Sequence, residues 1–513
     1  MFYPTPKQMK TIEANSEKDG LSCRELMERA GDAIAMQICS IGLELSLSSG
    51  TVFICGSGNN AGDAFVAARL LAQIGFPVTI VLVCGDPSTE MAMAEYCELS
   101  EYSNVEVLNA EDNAKKLEKI MSEAAVIVDA VYGTGFHGFL PKIVKDCLAM
   151  AERSSAVKIA ADMPSGGDCL NGTVAEGTIK ADFTLAFGYK KIGMLMQPLS
   201  DYCGEIIASD IGLTEKCLDG IEYLPELLED DAASELIPKR KKNSYKGDFG
   251  KLLNVSGCAE MSGAAFLSTK AALRSGVGLV TLASVGKVID RIGSAIPEAT
   301  YLPLTAGNSG EISEKNADKI LERCANKTAL LIGCGLSATK DTKALVQKLV
   351  KEAACPIILD ADGINCIADN IDIIRNAKAE VIVTPHTGEL ARLSGITVSE
   401  AASDRLTAAV NISRDSGAVV VAKGVPNFVA GEGRAYIIPA GNPGLSRGGS
   451  GDVLAGIIAA FRAQGLSAVD SAALGVLIHG EAADIAAEEL SETGMLPSDV
   501  IERLPFVFKK RNR

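Results

Sequence analysis

Short runs of aliphatic and β-branched residues, apolar on both faces, alternate along this chain with amphipathic stretches. In the first half the runs are TVFICG (51–56), VTIVLV (78–83), VIVDAV (126–131), VKIAAD (157–162) and ADFTLAF (181–187). A strand with no polar face must be covered on both sides, as the strands of parallel sheets are. Stretches such as DAFVAARLLAQIG (63–75) supply the helical cover, and ELMERAGDAIAMQICSIG (25–42) reads as a helix ahead of the first strand. The pattern βαβαβ predicts an α/β fold with a doubly wound sheet.

The second half repeats this grammar with KLLNVSG (251–257), ALLIGCG (329–335), PIILDAD (356–362), VIVTPH (381–386) and AVVVAKG (418–424). PNFVAGEGRAYIIP (426–439) predicts a hairpin around 431–433. Between the halves, 222–250 carries an acidic cluster, two prolines and a basic cluster at 239–242. Charge patterning of this kind reads as a solvated connection. The expected division is a domain over 1–215, a linker over 216–240 and a domain over 241–513.

Composition narrows the function. With 47% hydrophobic and 22% charged residues the chain builds a sizeable core. A net charge of −16 argues against nucleic-acid backbones as partners, while leaving room for a local cationic pocket for a small phosphate. The 14 cysteines form no CxxC pair and only three histidines are present, which argues against a Cys/His zinc site. Scattered thiols fit a reducing, cytoplasmic setting. No apolar run reaches about 18 residues and the start has no basic-then-apolar leader, so neither a membrane span nor a signal peptide is expected.

Polar residues and glycines gather behind the strand ends, where open α/β sheets bind ligands. After the first strand come Gly56, Ser57, Gly58, Asn59, Asn60, Ala61, Gly62, Asp63 and Ala64, then a helix. A turn of this kind serves either as a capped strand-to-helix connection or as a ligand site with free N–H groups. Two further ends, Asp129 with the following 133–138 loop, and Asp162-Met163-Pro164-Ser165-Gly166, favour the ligand site. Asn60, Asp129 and Ser165 offer oxygen ligands for a weakly held hard cation, and Asp162 is left as a general acid/base. His137 reads as a loop residue more readily than as a proton carrier.

In the second half the strongest local signal is GNPGLSRGGSGDVL (441–454). Gly448, Gly449, Ser450 and Gly451 lead into a helix, a turn that aims backbone N–H groups at one point and suits a transferring phosphoryl group. Asp452 in the first helical turn is placed to take a proton from a substrate hydroxyl. Asp360, Asp362 and Asn365 follow one strand, His386 and Glu389 another, and Lys423 a third. Individually each is ordinary turn chemistry.

As an ordered set these motifs resemble a known family. LMERAG (26–31), GNNAGD (58–63), DAVYGTG (129–135), DMPSG (162–166) and Lys191 resemble the NAD(P)HX epimerase, a Rossmann-like domain, over about 8–213. KGDFGKLLNVSG (246–257), MSGAAFLSTKAALRSGVGLV (261–280), DADGIN (360–365), TPHTGE (384–389) and GNPGLSRGGSGDVLAG (441–456) resemble the ADP/ATP-dependent NAD(P)HX dehydratase, a ribokinase-like domain, over about 225–508. Together they look like the bifunctional NAD(P)H-hydrate repair family, which epimerises R and S hydrates of NADH and NADPH and dehydrates the S form.

The resemblance implies roles for residues. Asn59, Asn60, Ala61, Gly62, Asp63, Gly133, Thr134, Gly135, Phe136, His137, Gly138 and Asp162 would bind the hydrated nucleotide; Asn60, Asp129 and Ser165 would hold K⁺. Asp162 would be the epimerase acid/base, with help from Lys191. Ala264, Gly335, His386 and Asp452 would contact the hydrate in the second domain. Lys423, Gly424, Val425, Pro426, Asn427, Phe428 and Gly451 would contact the adenine nucleotide, with Mg²⁺ shielding its charge. Asp452 would be the catalytic base. Domain fusion, typical of prokaryotic members, implies ADP rather than ATP as donor, and the family implies a homo-oligomer, a tetramer. The chain departs from the usual pattern at Ala61 and Ala64, each in place of glycine, at Thr387 in place of proline, and at Pro426 and Asn427. The competing assignment is a small-molecule kinase for a vitamin precursor, fused to a non-catalytic nucleotide-binding domain; release of free phosphate separates the two.

Overall fold

The computed structural model describes residues 1–44 and 50–511. The chain divides into two compact units, Phe2–Leu224 and Pro225–Arg513, the second also taking in Met1.

The first unit is built on seven parallel strands: β1 (Thr51–Cys55), β2 (Val78–Leu82), β3 (Val105–Asn109), β4 (Val126–Ala130), β5 (Val157–Ala161), β6 (Phe183–Phe187) and β7 (Glu205–Ser209), in the order β3-β2-β1-β4-β5-β6-β7. Alternate side chains feed two separate cores. Phe53 and Cys55 pack with Ile34, Ile38 and Phe65 from the Cys23–Glu44 and Asn59–Gln73 helices. Val52 and Ile54 pack with Leu117, Met121, Val144 and Leu148 from the Ala114–Glu123 and Lys142–Arg153 helices. The result is the three-layered, Rossmann-like sandwich read from the apolar runs. β3 and β7 are the two margins of the sheet and have partly exposed positions, so their sequences are not wholly apolar runs. The strand order reverses between β1 and β4, which opens a crevice at their carboxyl ends.

The second unit carries ten strands: β8 (Pro225–Leu227), β9 (Lys251–Val255), β10 (Leu279–Val285), β11 (Thr300–Leu304), β12 (Ala329–Ile332), β13 (Ile357–Leu359), β14 (Val381–Val383), β15 (Val419–Ala422), β16 (Asn427–Gly431) and β17 (Arg434–Ile438). Their order is β11-β10-β9-β12-β13-β14-β15-β16-β17-β8, and only β16 runs against its neighbours. The hairpin forms as expected: Glu432 and Gly433 both have positive φ, 54° and 76°, which matches the right-handed twist of the flanking strands. One sheet face packs Leu252, Leu331, Ile358 and Val421 against the apolar Ser450–Ala463 and Ala468–Leu490 helices. Part of the expected linker is structured: Pro225–Leu227 adds a strand beside β17, and Asp230–Leu236 is a helix that buries Ala233. Leu228, Ala233 and Ile237 enter the core, so burial outweighs the charge pattern there.

Candidate active sites at the sheet crevices

A cavity of about 490 Å³ opens at the β1/β4 crevice. Asn59, Asn60 and Asp63 reach it from the first two turns of the Asn59–Gln73 helix, and residues 133–136 from the loop after β4. Asp162 follows β5 with a φ of 66°, and its N–H donates to Leu185 O over 2.9 Å. This left-handed turn, uncommon for a residue with a side chain, brings the carboxylate into the cavity. Lys191 Nζ donates to Asp162 Oδ1 and, over 3.3 Å, to Phe187 O. Gly133 makes the junction possible: a Cβ there would lie 3.1 Å from Asp162 Oδ2 and 3.6 Å from Asn60 Oδ1.

Charge is concentrated around this pair. Asp63 is held well above the usual carboxylate range by burial and by the neighbouring Asp162 and Glu13 charges. Glu13, from the Pro6–Lys18 helix, is raised for similar reasons, with Lys191 acting against the shift. Nothing in the sequence around Glu13 marked it as part of a site. Asp129, near the end of β4, is buried and does not line the cavity. Its carboxylate accepts from Ser165 N at 2.8 Å, Ser165 Oγ at 2.5 Å and Val131 N at 3.3 Å. Burial raises its pKa to about 6 despite those bonds. Asn60 presents both carboxamide atoms, buried and without a hydrogen-bond partner.

A second cavity, about 520 Å³, lies in the other unit. Gly449, with a φ of 102°, begins the Ser450–Ala463 helix, and Asp452 stands in its first turn. Among the described residues none accepts the backbone N–H of Gly448, Gly449, Gly451 or Asp452. Lys423, at the end of β15, donates to Asp360 Oδ1 over 3.0 Å, and Thr384 Oγ1 donates to the same oxygen over 2.6 Å. Asp360, Asp452 and Cys334 bring one ligand atom each within 4.8 Å of one another. Burial first, then the Asp360 charge, raise Asp452 to about 7. His386 caps the Thr387–Ser394 helix by accepting from Gly388 N at 3.0 Å, while its own N–H goes to Glu389 Oε2 at 2.9 Å. Its ring is held below the usual histidine pKa by burial, then by Lys423 and Arg392.

Comparison with known proteins settles the family. Residues 252–506 match the family described as NAD(P)H-hydrate dehydratase, and residues 23–193 match YjeF-related protein N-terminus. A bifunctional NAD(P)H-hydrate repair enzyme of Thermofilum pendens is 34% identical, covering 96% of this chain and 93% of its own length. The protein of that description from Escherichia coli is also 34% identical, over 94% of this chain and 89% of its own. The chain belongs to the bifunctional NAD(P)H-hydrate repair enzymes. It joins an epimerase domain to a dehydratase domain, as the ordered motifs implied, and this sets aside the kinase fused to a non-catalytic domain. Among solved structures, the ADP/ATP-dependent NAD(P)H-hydrate dehydratase of Bacillus subtilis, co-crystallised with ATP and Mg²⁺, is 28% identical. It covers 56% of this chain and 98% of its own, with a TM-score of 0.48. No helix among the described residues is long and apolar enough to cross a membrane.

The two cavities sort the expected residues. In the epimerase domain Asn59, Asn60, Asp63, Gly133, Thr134, Gly135, Phe136 and Asp162 line the cavity, and Ala61, Gly62, His137 and Gly138 do not. His137 is two-thirds exposed and pairs with Asp168 at 3.1 Å. Ala61 and Ala64 are fully buried in helical backbone, where a Cβ carries no strain, so the departure from glycine costs the turn nothing. In the dehydratase domain His386, Lys423, Gly424, Val425, Asn427, Gly449, Ser450, Gly451 and Asp452 line the cavity. Pro426, Phe428 and Gly448 are not among its wall residues; Phe428 is buried beneath the Arg405 guanidinium, 5.1 Å from its ring centre. Ala264 and Gly335 also lie outside this cavity but meet each other: a Cβ on Gly335 would come within 2.7 Å of that of Ala264. Cys334 beside Gly335 ties that junction to Asp360 and Asp452. Neither Cys334 nor His479 is marked by the sequence, since a single thiol or imidazole in an apolar run carries no spacing signal.

Proposed function

We propose that Asp452 is the base of the dehydratase reaction and that the start of its helix holds the transferring phosphoryl group. The observation that carries this is the position of Asp452, poised near neutrality beside backbone N–H groups without partners. A substrate hydroxyl set against Asp452 attacks the terminal phosphorus of ADP while its proton passes to the carboxylate. The bond to AMP breaks, and AMP leaves with the electron pair. Hydroxide has become phosphate, a far better leaving group. Phosphate then departs with the C–O pair as the ring nitrogen donates its lone pair, and loss of a proton from the adjacent carbon restores the double bond of NADH or NADPH.

Lys423, partly buried and held above the usual lysine pKa against the pull of burial by Asp360 and Glu389, would neutralise the nucleotide phosphates. Mg²⁺ would be held through Asp360, whose Oδ2 takes neither the Lys423 nor the Thr384 bond, and would supply charge shielding for the phosphates. ADP is the donor in this reading, which rests on the fusion of the two domains in one chain.

In the epimerase domain Asp162 is the acid/base for R/S interconversion at C6 of the hydrated ring, and Lys191, which donates to its carboxylate, holds it in place. K⁺ would be held near Asn60, Asp129 and Ser165, where the unpartnered Asn60 carboxamide oxygen fits a cation ligand. There it would supply positive potential for the nucleotide's phosphates. The 14 free thiols suit a cytoplasmic enzyme, and a homotetramer belongs to the same reading, checked by light scattering.

The test mixes the enzyme with R/S NADHX, Mg²⁺, K⁺ and either ADP or ATP, following the return of reduced-nicotinamide absorbance. Full recovery with ADP and release of one phosphate per turnover support the scheme. Accumulation of a phosphorylated hydrate, or recovery with ATP alone, would overturn the step or the donor respectively.

A further inference from the structure

His479 lies midway along the Ala468–Leu490 helix, whose buried face is mostly alanine, valine, leucine and isoleucine with Ser471 as the other buried polar side chain. The residue is 7% exposed, lines the dehydratase cavity, and its Nε2 is buried without a hydrogen-bond partner. The same cavity wall includes Val476, Leu445 and Ala440 together with the polar Asn442, Ser446 and Arg447. That wall is also fixed. Asp484 accepts from Gly441 N at 3.1 Å and from Asn442 Nδ2 at 2.9 Å. Gly480 lets the helix approach so closely that a Cβ there would lie 2.6 Å from Ala440 C. Burial, then the Lys423 charge, push the imidazole down to about 4, so at neutral pH it offers one N–H and one lone pair.

A buried polar atom left without a partner is costly, and here its residue lines a preformed pocket. A combination of apolar side chains and one neutral hydrogen-bonding nitrogen matches a flat nitrogen heterocycle, which stacks on hydrocarbon and bonds through its edge. It matches neither a phosphate, which wants cations and N–H groups, nor a hydrated, hydroxyl-rich sugar. We propose that His479 reads the base of the adenine nucleotide by a hydrogen bond from Nε2 to the purine edge, with Val476 and Leu445 against the ring face. This rests on the cavity being the nucleotide site.

The experiment is calorimetric titration of the full-length enzyme with ADP, UDP and tripolyphosphate, for the wild type, His479→Ala and His479→Asn. Tripolyphosphate carries the anion without base or ribose. The expected result is a tenfold or greater loss of ADP affinity in His479→Ala, partial recovery in His479→Asn, and a reduced preference for ADP over UDP. Tripolyphosphate affinity is expected to hold. Equal losses for ADP and tripolyphosphate, or an unchanged ADP/UDP ratio in a variant with native circular dichroism, would overturn the assignment. If His479→Ala does not fold, His479→Asn and His479→Gln carry the same comparison. Failure of the wild type to bind ADP at all would instead remove the nucleotide site itself.

Discussion

Lys423 Nζ lies 3.0 Å from Asp360 Oδ1, and this pair flanks Asp452 in one cavity. The cation and the carboxylate pull Asp452 in opposite directions, and burial decides the outcome, leaving its pKa near 7. A base must be ionised to accept a proton. The kcat/KM for S-hydrate dehydration is therefore expected to fall about tenfold per pH unit below about 7 and to level above it. Asp360→Asn removes a neighbouring negative charge and frees Lys423, so the inflection should move to lower pH. Rate profiles of both proteins check this; a wild-type rate flat from pH 5.5 to 8 would remove Asp452 as the base. Asp452→Ala should abolish dehydration and leave R/S interconversion intact.

Asp162 and Lys191 form the corresponding pair in the epimerase domain. Asp162→Ala should slow interconversion by about 10²–10⁴-fold, the usual worth of a positioned acid/base. Dehydration of pure S hydrate should be unchanged, because Asp162 lines a different cavity from Asp452. Lys191→Met leaves a largely buried carboxylate unpaired beside Glu13 and Asp63. Its expected effect is loss of stability of about 3–5 kcal/mol, read by chemical denaturation, as well as loss of interconversion. Normal interconversion in Asp162→Ala would exclude the aspartate.

Asn60 presents buried carboxamide atoms with no protein partner. If that oxygen serves a cation, K⁺ should stabilise the epimerase domain, and Asn60→Ala should abolish the effect. Thermal unfolding of wild type and variant in K⁺ against a large organic cation tests this without reference to turnover. Equal K⁺ responses in both proteins would remove Asn60 from the ligand set.

Both sheets were legible because their central strands are apolar on both faces, and the crevice residues because glycine, asparagine and aspartate crowd the strand ends. What escaped has physical causes. β8, β10 and β11 lie at or next to the margins of the second sheet; β8 and β11 are short or half exposed, and β10 has Thr281 and Ser284 among its apolar residues. Glu13 and His479 reach their cavities through tertiary packing, which no local spacing records. The glycine-to-alanine change at Ala61 looked disruptive on sequence. The helix starts two residues earlier, at Asn59, so the position never needed a left-handed backbone.

Gly456 supports Asp452 from one turn further along the same helix. The Ser450–Ala463 and Ser262–Arg274 helices cross there, and a Cβ on Gly456 would lie 2.3 Å from Ser268 O and 3.1 Å from Ala271 Cβ. The first contact is with backbone, which cannot rotate away, so Gly456→Ala must push the helices apart. The expected stability loss is about 1–3 kcal/mol, typical of overpacking. The displacement also moves Asp452 and the N–H groups ahead of it, and small misplacements of reacting groups are expensive. Dehydration should therefore fall by about tenfold or more at temperatures where the variant remains folded, while epimerisation holds. Gly451→Ala is the contrast: its Cβ would meet Lys423 Nζ at 3.4 Å and Asp360 Oδ2 at 3.6 Å, ordinary contacts that the fold tolerates. Its stability should stay near wild type while its added methyl crowds the proposed phosphoryl site. Denaturation curves set beside dehydration rates for the two variants separate support of the helix from obstruction of the site.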